Sequence, residues 1–131
     1  MKKKSFILIL TCIVILLLMD NIYRPYIYSR GIFDFFIADS FPSLMGPIIL
    51  SAYMACTDTS IYKNKIDEIL FIITPSLGLI IAEFISPIIS RHVSFDIMDV
   101  VFAALGGVIV YFVKKNLYDK WYNTIKVAHT I

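Results

Sequence analysis

Four ionisable residues, Glu83, Arg91, Asp96 and Asp99, stand in one short stretch of a chain that is otherwise strongly apolar. Carboxylates can hold a proton or a cation, and the planar guanidinium of Arg91 suits a phosphate or carboxylate group. A charge at the centre of a membrane helix costs about 2.5–3.5 kcal/mol, and less towards an interface, so such groups persist where they pair or act. Each also has a structural alternative. Ser94 or Asp96 can cap a helix start, because side-chain oxygens there satisfy orphan N–H groups. Asp99 lies three residues after Asp96, on the same helical face. Glu83 can form an ion pair with Arg91 that ties two helices together. Asp34 and Asp39 are secondary candidates, and His92 reads as an exposed loop residue.

What must position these groups is a set of apolar helices. The chain has 131 residues, 59% of them hydrophobic, with a mean hydropathy of +0.80. A soluble domain is about 45–50% apolar, so the excess calls for lipid as a second apolar solvent. Apolar stretches at 5–22, 35–56, 69–86 and 97–113 predict an all-α membrane protein, a four-transmembrane-helix bundle forming one domain over residues 1–131. The first stretch, with Lys2, Lys3 and Lys4 before it, reads as an uncleaved anchor, because Asp20-Asn21 follows it and no small-x-small cleavage site does; a signal peptide is the alternative. Tyr23, Tyr26 and Tyr28 mark a polar, aromatic loop of the kind the headgroup layer selects. Pro42, Gly46-Pro47, Thr74-Pro75 and Gly78 are expected bend points. In the tail, 114–131, Leu117, Trp121, Ile125 and Ala128 recur at helical spacing, as in an interfacial amphipathic helix; a frayed tail is the alternative.

Lys2, Lys3, Lys4, Lys63, Lys65, Lys114, Lys115, Lys120 and Lys126 all fall on one side of this topology. The positive-inside rule then puts both termini in the cytoplasm and the acidic cluster at the outer face of the cell membrane. A net charge of +2 gives no reason to expect a nucleic acid partner. Cys12 and Cys56 fall at different depths, so no disulfide is expected. No zinc signature, phosphate loop or Ser-His-Asp set is present, and no metal or cofactor is expected. Ala103, Ala104, Gly106 and Gly107 form a small face suited to close helix packing, with Ser43, Gly46 and Ser51 as an opposing surface.

The run Ala82-Glu83-Phe84-Ile85, followed by Arg91, Ser94, Asp96-x-x-Asp99 and Gly106-Gly107, resembles the VanZ-like family of small bacterial membrane proteins. That family takes its name from an accessory protein of glycopeptide (teicoplanin) antibiotic resistance. The resemblance implies a compact helical membrane protein acting at the outer face on cell-envelope material or its antibiotics, with Glu83, Arg91, Asp96 and Asp99 lining a polar cavity. Two positions depart from the family pattern: Ser86 stands where Gln is common, and Ala103 where Asn is. The other reading is a non-catalytic accessory or immunity-type subunit that packs against a partner membrane protein. Its small face and basic tail would carry that role.

Overall fold

The computed structural model describes residues 2–57 and 64–130; of the hydrophilic stretch 57–68 between the second and third apolar runs, residues 58–63 lie outside them. The described residues are helical throughout, apart from short links and caps, and contain no strand.

Helix α1 (Lys2–Leu18) passes through a wide π-helical turn, Met19–Tyr23, into α2 (Arg24–Arg30), so that 29 residues run as one helix. Pro25 brings no N–H and crowds the preceding turn. The wider turn before it accommodates this, with the Arg24 N–H bonding back to the Met19 carbonyl. The aromatic segment expected as a loop is therefore largely helical. It ends at Gly31, whose φ of 60° is the left-handed conformation a helix C-terminus commonly adopts.

Helix α3 (Ile37–Thr57) runs on through Pro42 and Pro47, and α4 (Lys65–Ile89) through Pro75 and Pro87. Both ends of α4 extend beyond the predicted 69–86 because Lys65–Glu68 and Pro87–Ile89 complete turns that hydropathy alone does not register. The link to α5 (Ile97–Val113) is consequently shorter than its sequence suggests. Nor does α5 stop at the lysines. A second π-helical turn, Lys114–Tyr118, carries it into α6 (Asp119–Thr130), a continuous helix of 34 residues. At 1.5 Å per residue that is about 51 Å, well beyond a hydrocarbon layer of roughly 30 Å. The tail is thus the prolongation of the last helix, not a separate one lying across its end.

Helix α3 packs against α1, α4 and α5, and α4 against α5. Two buried clusters result. Ala52, Ala55, Phe71 and Tyr118 form one; Cys12, Met45, Ile48 and Val110 form the other. The helices Lys2–Arg30, Lys65–Ile89 and Ile97–Thr130 are long and apolar enough to cross a membrane. Helix α3 is not among these three, for Asp39, two prolines and three serines dilute its hydropathy. It is nonetheless the most enclosed helix, with Ser40, Ser51, Ala52 and Ala55 fully shielded. A helix surrounded by protein has no need of an apolar circumference.

Much of the outer surface of α1 and α4 is apolar. Phe6, Ile7, Leu10, Val14 and Leu17 stand exposed along α1, as do Leu77, Ile81 and Phe84 on α4.

Candidate functional site

The antiparallel order brings the end of α2, the start of α3, the end of α4 and the start of α5 to one end of the molecule, the acidic end. The first residues of α1 and α4, the end of α3 and the start of α6 meet at the other, the basic end.

At the acidic end the predicted residues fall into two groups. In the first, Asp96 is the N-cap of α5, accepting a hydrogen bond from the Met98 N–H at 2.8 Å, so one of its oxygens is engaged in holding the helix start. Asp99 lies in the first turn of α5, where a negative charge suits the helix dipole. Glu83 on α4 has Asp99 and then Asp96 as its electrostatic neighbours. All three carboxylates are partly buried. Arg91, in the link, is exposed, and among the described residues it forms no ion pair. The expected Glu83–Arg91 bridge is therefore not made. The α4–α5 link leaves Arg91 exposed, and the charges felt at Glu83 are those of Asp99 and Asp96.

In the second group two of the acids share a cation. Arg24 donates to Asp20 at 2.9 Å and to Asp39 at 3.3 Å, and the Tyr28 hydroxyl also donates to Asp39. Asp34 accepts from the Ala38 N–H at 2.7 Å and so closes the first turn of α3. The secondary candidates Asp34 and Asp39 thus fix the approach of α2 to α3. Asp20, Arg24 and Tyr28 follow one another at four-residue intervals, a helical spacing legible in the sequence once the loop is recognised as helix.

Below this end the small face of α5 does its work. Ala103 is fully buried, and its carbonyl accepts a hydrogen bond from Ser76 Oγ of α4 at 2.6 Å. A β-carbon at Gly106 would strike the Leu44 carbonyl and come within 2.9 Å of Pro47. One at Gly107 would come within 2.8 Å of the Ser76 hydroxyl. Gly46 is pressed not against α5 but against Leu79 of α4. Ser86 turns its hydroxyl back to the Ala82 carbonyl at 2.7 Å. Ala104 and Gly107 also line an outward-facing groove of about 400 Å³ between α4 and α5, walled by Ile72, Ile73, Leu77 and Tyr111.

The basic end holds a residue whose role the sequence did not announce. Lys114 is buried, and its ammonium donates to Asp119 at 2.9 and 3.2 Å and lies 3.8 Å from Glu68. Lys114 and Asp119 are five apart, which on a regular α-helix would set them on different faces. The π-helical turn between them, closed by the Asp119 N–H to the Lys114 carbonyl, aligns them. Nearby, the Phe71 and Tyr118 rings meet edge to face at 5.7 Å, and Lys4 stands 5.7 Å from the Trp121 ring. Cys12 and Cys56 are both free thiols.

Among the described residues no grouping of His, Cys, Asp and Glu could hold a metal ion. No family model, no curated protein and no solved structure matches the chain.

Proposed function

We propose that the chain is a multi-pass membrane protein of four crossing helices, both termini cytoplasmic, that acts at the outer face on cell-envelope material or glycopeptide antibiotics. The VanZ-like resemblance supplies the substrate class. One observation carries the location: among the described residues Glu83, Asp96 and Asp99 share the α4–α5 end with no cation paired to them, and the exposed Arg91, between them in sequence, is likewise unpaired. Charges that hold helices together are paired, as Arg24 and Lys114 are. These are not, which leaves them for a ligand carrying both signs of charge. The fourth crossing would be α3, enclosed by its neighbours and running between the same two ends as they do.

The test is teicoplanin and vancomycin sensitivity in a Gram-positive host carrying the wild-type gene, Asp99→Ala, or an empty vector. Protection by the wild type, lost in the variant at equal membrane level, is the expected result. No shift with the wild type overturns this reading. The groove between α4 and α5 favours a second one: an accessory subunit whose Ala104–Gly107 surface receives a helix of a partner membrane protein. Recovery of a stoichiometric partner after mild detergent extraction, reduced by Gly107→Leu, would decide for it.

A further inference from the structure

We infer that the cleft between the start of α1 and the end of α3 is a binding site for one anionic phospholipid, an inference that rests on the membrane reading above. The cleft has a volume of about 530 Å³ and is lined by Lys2, Lys3, Phe6, Ile7 and Cys56. Lys2 and Lys3 are exposed, and one helical turn on Phe6 and Ile7 are 62% and 60% exposed. The spacing is that of a single helix face, since residues three and four apart are neighbours. The same face continues as Leu10, Ile13, Val14 and Leu17, all exposed and all apolar. Two lysines at the N-terminal end of a continuous apolar track match a phosphate headgroup at the end of an acyl chain. Basic pockets at the cytoplasmic side of membrane helices recognise anionic headgroups in this way.

The neighbouring charges sharpen the assignment. Lys4 is turned to the other side of α1, over Trp121, and Lys114 is neutralised by Glu68 and Asp119. Lys2 and Lys3 enter no ion pair among the described residues. The Cys56 thiol donates to the Lys2 carbonyl at 3.5 Å, which holds the mouth of the cleft against the end of α3.

The experiment reconstitutes the full chain into vesicles of equal phosphatidylglycerol and phosphatidylcholine, extracts it gently and measures the co-purifying lipid by mass spectrometry. Wild type should retain phosphatidylglycerol in excess. Lys2→Gln with Lys3→Gln should lower that preference by roughly fivefold per lysine. Lys2→Arg with Lys3→Arg, and Lys115→Gln with Lys120→Gln, should leave it unchanged. No preference in the wild type, or an equal loss in the Lys115 and Lys120 variant, overturns the lipid site while the membrane reading stands. A chain washed off the vesicles by alkaline carbonate overturns both.

Discussion

The two ends of this molecule handle charge in opposite ways. At the basic end Lys114 is taken into the packed interior and met by two carboxylates, and aromatic rings close around the adjacent turn. At the α4–α5 corner of the acidic end, Glu83 feels the charges of Asp99 and Asp96, and the nearest arginine in sequence is exposed and unpaired among the described residues. A buried, paired charge binds elements together, and removing one partner leaves the others uncompensated. An unpaired, half-exposed charge contributes little to the fold. The contrast separates residues that hold the structure from residues available to a ligand, and stability measurements can break it.

The largest effect should come from Lys114→Met, which keeps the length of the side chain and strands Glu68 and Asp119. Because both acids remain partly exposed, we expect a loss of about 2–3 kcal/mol in detergent unfolding, below the full cost of a deeply buried pair. Lys115→Met, one residue on and exposed, should change stability by less than about 0.5 kcal/mol. If the two behave alike, the basic end is not the structural one.

Next in size is a pair of glycines. Gly106→Val should cost about 1–3 kcal/mol, because the new side chain meets the α3 backbone at Leu44 and the ring of Pro47. Gly78→Ala faces open space on α4 and should raise stability by about 0.5–1 kcal/mol through helix propensity alone. Asp39→Ala, which removes the acceptor shared by Arg24 and Tyr28, should cost about 1 kcal/mol, since both partners are half-exposed.

The smallest effect belongs to the proposed site. Asp99→Asn should move unfolding by no more than about 0.5 kcal/mol, and upwards if anything, because it relieves repulsion with Glu83. Loss of protection against glycopeptides at unchanged stability would sharpen the contrast between the ends. A stability loss as large as that of Lys114→Met would erase it.

Much of the helical outline was legible beforehand. Continuous apolar runs require helices if lipid is their solvent, and the four runs lie where α1, α3, α4 and α5 are found. The links were less legible. Tyr23–Arg30 is polar enough to read as a loop, yet Arg24 pairs with residues one helical turn back and on α3, and so the helix continues. The lysines after Val113 mark where hydropathy ends, not where the helix does. Helix α3 is less apolar than the other long helices and better enclosed, so hydropathy does not single it out.

By itself the sequence determined an all-helical chain, the four apolar runs, the sorting of lysines to one end, and the cap role open to Asp96. These follow from periodicity and local chemistry, which act over one or two helical turns. Only the tertiary structure decided which charges are matched. Glu83 and Arg91 are close in sequence and remain apart. Lys114 and Glu68 are far apart in sequence and meet, because helix packing and a π-helical turn, neither set by local pattern, choose each ion's neighbour.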